Sequence, residues 1–374
     1  LPQFVDDRIT FDAVFRDAPS LPLGVEVHLG SRVERLDTSN RTIHVTAQRA
    51  VKYDKLLIAT GASALRPTIP GLEGPGVHVL RDFDDAKAIK ASARKGRHVV
   101  IIGGGRVGMK AAMALRRREL QVTVVEQGSR LVPLQFDYVA SEIVGEAISQ
   151  QGIRVLLNRT AVRVTRLNDL PHTVVLSDGT TLEPDFIVVA AGIRPNTELA
   201  QDCSLEVHRG IAVDKYLRTS QEHVFAAGDV VETTNLVTGE ASILPGTWTN
   251  AVETGRIAGT NMIGANVEFH GAMSVFNSFV LAGVPTVSIG TIILPPGDGY
   301  QVHERRKGDV YRKLVLKDDR LVGTIMIGNV EGAGLFTSLI RKQVQIGSAL
   351  DALMSDRPPH ALLLTRAFSL VSGM

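Results

Sequence analysis

Cysteine is nearly absent, with Cys203 the only one in 374 residues. Within this chain that excludes an intramolecular redox disulfide, a Cys-ligated iron–sulfur cluster and a zinc ribbon, and it suits a reducing compartment. Cys203 itself, in DCSLEV, reads as a small core residue rather than a nucleophile. The ten histidines show no H-x-x-H or H-E-x-x-H spacing, so no metal site is expected. Charge of one sign is lacking too. Lys and Arg (41) nearly balance Asp and Glu (39), which implies no strong pull toward nucleic acid or a membrane surface. No apolar run reaches the roughly 18 residues that a membrane span requires, and no charged segment leading into an apolar one opens the chain. The expected location is therefore the cytoplasm. With 44% hydrophobic and 21% charged residues, the chain has the composition of a globular protein of two or three domains with a large core.

Against these absences stands one informative stretch, Val99 to Glu126, VVIIGGGRVGMKAAMALRRRELQVTVVE. His98 to Ile102 is a β-branched apolar run of the kind found in a parallel strand buried on both faces. Gly103, Gly105 and Gly108 follow in G-x-G-x-x-G spacing. The first suits a tight turn, the second a close backbone approach to a pyrophosphate, and the third close packing of helix on strand. A helix is expected from Met109 to Arg118 with its N-terminal amides toward the phosphates. A second strand, Gln121 to Val125, ends at Glu126, an acid that would accept from a ribose 2′-OH and repel a 2′-phosphate. NADH is thus expected over NADPH.

A longer pattern occurs twice. Residues 24–61 and 152–192 both open Gly-x-x-Val-x-Leu and run through an alternating strand (Val33 to Leu36; Val162 to Leu167) and a turn (Thr38-Ser39-Asn40; Asn168-Asp169). Each then reaches an apolar strand ending in Ala59-Thr60-Gly61 or Ala190-Ala191-Gly192. The duplication implies two related mononucleotide-binding units. The glycine fingerprint of the second copy lies about fifty residues upstream of Gly152. By that spacing, the fingerprint of the first copy is expected before Leu1.

Elsewhere, a short helix is expected from Phe11 to Arg16 and another from Asp84 to Ala93, and Asp137 is placed to cap a helix running to Gln151. Val224 to Ala227 reads as a buried strand with Gly228 and Asp229 at its C-terminal end, where ligands of open α/β sheets bind. Asp229 is thereby a candidate acceptor for a hydroxyl or ribityl group. Gly246 to Thr249 leads into a helix from Asn250 to Met262. From about His270 the chain turns to short strands and a helix from Leu335 to Gln345, a separate α+β domain. Its basic run of Arg305, Arg306, Lys307, Arg312, Lys313 and Lys317 offers either a dock for an acidic protein or a solvated face.

The series YDKLLIATG, VVIIGGGRVG with its following acid, VVAAGIRPN, VFAAGDV and ETGRIAGTNM resembles the flavoproteins with two dinucleotide-binding domains. These include pyridine nucleotide-disulfide oxidoreductases, NADH oxidases, rubredoxin and ferredoxin reductases, and the flavoprotein part of NADH nitrite reductases. The resemblance covers roughly residues 20–330. It implies an α/β fold of two Rossmann-like domains, the first N-terminally incomplete, followed by a C-terminal α+β domain. The expected segments are 1–95 and 201–268 for the FAD-binding domain, 96–200 for an inserted NAD-binding domain and 269–374 for a dimerisation or partner domain. Ala59, Thr60, Gly61, Gly228, Asp229, Trp248 and Thr249 would bind FAD. Gly103, Gly104, Gly105, Arg106, Val107, Gly108, Glu126 and Gly192 would bind NAD. Hydride would pass from NADH to the flavin, and electrons on to an acceptor such as rubredoxin or ferredoxin. Two alternatives stay open: an NADH oxidase or disulfide reductase whose cysteine precedes Leu1, and a non-catalytic NAD-binding subunit of a redox complex. Where the family usually carries Glu two residues after the last fingerprint glycine, this chain has Lys110. With Arg106 nearby, that cation would either hold the pyrophosphate more strongly or misplace the nicotinamide.

Overall fold

The computed structural model describes residues 1–14, 24–46, 49–243, 246–273, 275–294 and 299–358. They form two compact units. One comprises Leu1–Thr10, Ala64–Gly192 and the described residues from Val275 onward; the other comprises the described residues of Phe11–Ser63 and Ile193–Ser274.

The first unit is built on five parallel strands in the order Val77–Val79, Phe186–Val189, His98–Ile102, Gln121–Val125, Ile153–Leu156. His98–Ile102 is central, and Val99, Val100 and Ile101 are fully buried, as a continuous β-branched run requires when both faces are covered. Val77–Val79 joins this sheet as an edge strand, within the segment Ala64–Gly192 of this unit. The fingerprint helix spans Arg106–Arg117 with Gly105 as its N-cap, so it starts three residues ahead of Met109. The glycine turn is that short. Helix Phe83–Ser92 is held by a reciprocal capping box between Asp82 and Asp85. A three-stranded antiparallel sheet, Ala161–Leu167, Leu170–Leu176 and Thr181–Leu182, precedes Phe186–Val189. Its tight hairpin puts Asn168 and Asp169 at φ 49° and 60°, the left-handed pair of a type I′ turn.

The same unit carries the C-terminal α+β domain. Its five antiparallel strands lie in the order Phe276–Leu281, Val284–Gly290, Arg320–Ile327, Val310–Lys317, Gln301–Lys307. Helix Ala333–Arg341, shorter than the span expected to Gln345, packs Leu335, Phe336, Leu339 and Ile340 into the core. Side chains that alternate along the strands meet the parallel-sheet part of the unit. Phe279 stacks on Phe136 with centroids 5.8 Å apart, and Ser288 Oγ donates to the Gln135 carbonyl at 2.6 Å.

The second unit repeats the plan of the first. Val33–Asp37, Thr42–Val45 and Arg49–Lys52 form an antiparallel sheet, and Leu56–Ile58 follows, paired in parallel with Val224–Ala226. Leu36, Ile58, Phe225, Ile257 and Ala258 share one core with the helix Trp248–Met262. The helix expected from Phe11 to Arg16 is present as Phe11–Val14, and its remainder lies outside the described residues. Among the described residues, no helix is long and apolar enough to cross a membrane.

Asp137 performs two tasks at once. Its Oδ1 accepts from the Ala140 amide at 3.0 Å and caps helix Tyr138–Gln150, as the sequence predicts. Its Oδ2 accepts from the Tyr311 hydroxyl at 2.7 Å and from Lys313 Nζ at 3.1 Å. Tyr311 is 1% exposed, and burial together with the Asp137 carboxylate raises its pKa well above the usual phenol value. Replacing Asp137 by Ala removes the cap and takes the shared carboxylate from a buried hydroxyl and a buried ammonium, leaving Glu304 as the remaining acid beside Lys313. We expect a loss of about 3–5 kcal/mol of stability for Asp137→Ala and about 1 kcal/mol for Tyr311→Phe, measured by urea unfolding. Equal effects of the two would mean that Asp137 does not join the C-terminal sheet to the helix.

Candidate functional site

The three fingerprint glycines meet three different surroundings. Gly103 has φ +111°, and a Cβ there would collide with the Ala190 carbonyl. A Cβ on Gly108 would strike the Gly103 carbonyl oxygen, so the helix lies directly on the turn. A Cβ on Gly105 would meet nothing within 4 Å among the described residues. That open flank lies at the start of a helix that no side chain caps. This is the arrangement an anionic pyrophosphate requires: a clear backbone approach and a positive helix end. The residues present therefore fit a bound dinucleotide.

Glu126 is 6% exposed. Its Oε2 accepts from the Gly104 amide at 2.6 Å and its Oε1 from the Gly128 amide at 2.7 Å. The acid thus latches the glycine turn to the end of the neighbouring strand, a task that its motif position alone does not reveal. Val107 is exposed at the helix start, and Gly192 is exposed at φ +112° with open space where a Cβ would be. Arg106 donates to the side-chain oxygen of buried Asn277 on strand Phe276–Leu281. Lys110, one turn further on, is half-buried with its ammonium 5.4 Å from the centre of the Phe279 ring. Burial, and after it the Arg106 charge, pushes the Lys110 pKa down.

The second unit gathers the other predicted residues. Ala59 and Thr60 are exposed at the end of strand Leu56–Ile58, and Gly61 has φ +67° with open space where a Cβ would be. Asn196, the last residue of VVAAGIRPN, staples this loop. Its Nδ2 donates to the Thr60 carbonyl at 2.9 Å and its amide to the Gly61 carbonyl at 2.9 Å, while Thr60 Oγ1 donates to the Asn196 carbonyl at 2.7 Å. Gly228 and Asp229 open a 3₁₀ turn after Val224–Ala226. The Gly228 amide donates at 3.0 Å to the hydroxyl of Thr254, a buried helix residue that lies in the ETGRIAGTNM motif, which by itself gives it no role. Thr247 caps the helix Trp248–Met262, and Trp248 (72% exposed) and Thr249 stand in its first turn. Open loops around a fixed backbone, at strand ends and beside a helix N-terminus, fit a nucleotide cofactor.

The basic run of the C-terminal domain is spent largely inside that domain and its unit. Arg305 donates to the Met354 carbonyl at 3.1 Å, Arg306 to Glu142 at 3.3 Å, and buried Arg312 to the Leu353 carbonyl at 2.9 Å. Buried Lys313 pairs with Asp137 and with Glu304, and Lys317 lies over the Tyr300 ring. These contacts bury Arg312 and Lys313, while Arg305, Arg306 and Lys307 remain exposed.

Cys203 packs against the second unit's core, and its thiol points at the Leu199 and Ala200 carbonyls. Burial raises its pKa, so less thiolate is present at any given pH. At pH 8, iodoacetamide is expected to alkylate the native thiol about tenfold more slowly than the urea-unfolded chain. Equal rates would count against a packed, unreactive thiol.

The profile of the family described as pyridine nucleotide-disulphide oxidoreductase matches residues 6–255, and that of the rubredoxin NAD+ reductase C-terminal domain matches residues 276–344. The chain is 28% identical over 327 residues to the assimilatory nitrate reductase electron transfer subunit of Bacillus subtilis, covering 87% of this chain and 41% of that subunit. It also matches nitrite reductases, and it spans about two fifths of the length of these first relatives. It is 30% identical to the epsilon subunit of an NADH-dependent phenylglyoxylate dehydrogenase of Aromatoleum evansii, covering 84% of this chain and 74% of that subunit. The solved NAD-dependent persulfide reductase from A. fulgidus superposes with a TM-score of 0.85 at 26% identity, over 94% of this chain and 70% of that one. Two Rossmann-like units with a fitted dinucleotide turn, and a C-terminal domain of matching type, lead to one assignment: the chain belongs to the pyridine nucleotide-disulphide oxidoreductase family, whose members are FAD-dependent NAD(P)H:acceptor oxidoreductases.

Proposed function

We propose that this chain takes hydride from NADH onto FAD and passes electrons to a small redox protein such as rubredoxin or ferredoxin. The observation that carries the reading is the fingerprint turn, with its open flank at Gly105 and its uncapped helix start. Bound FAD would supply the hydride-accepting and electron-releasing chemistry. The chain supplies alignment. The turn from Gly103 to Gly108 holds the NADH pyrophosphate through backbone amides, and Gly192 lies against the same ligand. Ala59, Thr60, Gly61, Gly228 and Asp229 hold FAD, with Asn196 and Thr254 fixing the backbone of their loops. The helix that starts at Trp248 turns its positive end toward the electron-rich edge of the ring, and the amides of Trp248 and Thr249 stabilise negative charge there.

Two features support NADH over NADPH. Glu126 puts a carboxylate where a 2′-phosphate would need a cation. The next arginine, Arg130, has its guanidinium committed to the Phe136 and Pro133 carbonyls at 3.0 and 3.1 Å. The redox-protein acceptor rests on the match of residues 276–344 to the rubredoxin NAD+ reductase C-terminal domain. A homodimer and a cytoplasmic setting belong to the same reading.

The test is the visible spectrum of the purified chain with FAD, then with anaerobic NADH or NADPH, then with oxidised rubredoxin or ferredoxin. The expected result is a flavin band bleached faster by NADH than by NADPH and restored by the carrier. A band restored only by oxygen would make the protein an NADH oxidase. No flavin binding at all would make it a non-catalytic NAD-binding subunit.

A further inference from the structure

Arg106 and Lys110 stand one turn apart on the fingerprint helix, and Asn277 and Phe279 stand two residues apart on a C-terminal strand. Spacing of four on a helix and two on a strand puts each pair on one face. The faces meet. Arg106 donates to Asn277 Oδ1, and Lys110 lies over Phe279. Asn277 is 7% exposed and sits in a sheet anchored by the Asp137–Tyr311 and Asp137–Lys313 bonds. An arginine side chain free to rotate loses much of its entropy when it binds an anion, and one already held loses less. The Asn277 oxygen is neutral, so it orients the guanidinium without cancelling its charge.

We infer that Asn277 is a positioning residue of the dinucleotide site: from the C-terminal domain it holds the Arg106 guanidinium at the first turn of the fingerprint helix, where its charge strengthens pyrophosphate binding. The inference rests on the dinucleotide reading of that turn. The domain matched to the rubredoxin NAD+ reductase type thereby contributes to NAD affinity as well as to packing. Arg106 acts on the pyrophosphate, and Asn277 acts through Arg106.

The experiment is calorimetric titration of the oxidised protein with NAD+ at low and at physiological salt. It compares wild type, Arg106→Gln, Asn277→Leu and the double variant. Arg106→Gln is expected to raise Kd about tenfold, as loss of one charge-assisted contact would, and to flatten its salt dependence. Asn277→Leu is expected to raise Kd about threefold in the wild-type background and not at all beside Arg106→Gln. Asn277→Ala replaces Asn277→Leu if the larger apolar side chain disturbs folding. A purely structural Asn277 would add the same factor in both backgrounds, and that result, or wild-type affinity in Arg106→Gln, would overturn the inference. A wild-type chain that does not bind NAD+ would defeat the dinucleotide reading and this inference together. Normal wild-type binding without coupling would defeat only the inference.

Discussion

The dinucleotide-binding unit is assembled on a contact that leaves no room for a side chain. The fingerprint helix rests on the Gly103 carbonyl through Gly108, and Gly103 in turn rests on the Ala190 carbonyl at the end of strand Phe186–Val189. Three elements distant in sequence are thereby brought to backbone contact at one point. The helix direction follows, and with it the placement of the amides that close the turn. Glu126 fixes the turn from the other side by accepting the Gly104 and Gly128 amides. The buried carboxylate is costly unless hydrogen-bonded, and two backbone donors offset that cost.

From this point the unit extends outward in two layers. The parallel sheet carries the helix, and the helix, with the segment around Phe136 and Asp137, carries the C-terminal sheet. Asp137 matters because it belongs to both: an N-cap for its own helix and the acceptor for Tyr311 and Lys313. The C-terminal domain has a fold and a core of its own, yet its inward face is shaped by polar contacts to the dinucleotide-binding part. Two cations of the basic run, Arg312 and Lys313, are drawn in by the same logic, buried and hydrogen-bonded.

What the sequence revealed were features whose physics is local. The glycine fingerprint, the strand before it, the acid after it and the cap at Asp137 each act within a few residues or at a fixed offset. The duplication was legible because each copy repeats the same strand, turn and strand order, and both copies fold into a three-stranded antiparallel sheet followed by a parallel strand. The rest depends on partners that no local pattern announces. Arg106 reaches Asn277, Asp137 reaches Tyr311, and Thr60 reaches Asn196, each across more than a hundred residues. Thr254 lies in a recognisable motif, yet its partner is visible only once the fold brings the Gly228 amide to it. The basic run divides between its two strands: Arg305, Arg306 and Lys307 stay exposed, as a solvated face requires, while Arg312 and Lys313 are buried against partners far off in sequence.

The fingerprint also divides its glycines by the kind of loss each would bring. Gly103 and Gly108 are surrounded by backbone, so a substitution there injures the fold whether or not a ligand is ever bound. Gly105 borders open space among the described residues, so a methyl group there would collide with nothing in the fold, at the cost only of a poorer N-cap, and would narrow the backbone approach. A single change there, costing the fold little, would therefore close the approach while keeping the scaffold. A descendant that had turned to a purely structural role would be recognised by two preserved glycines around an altered third.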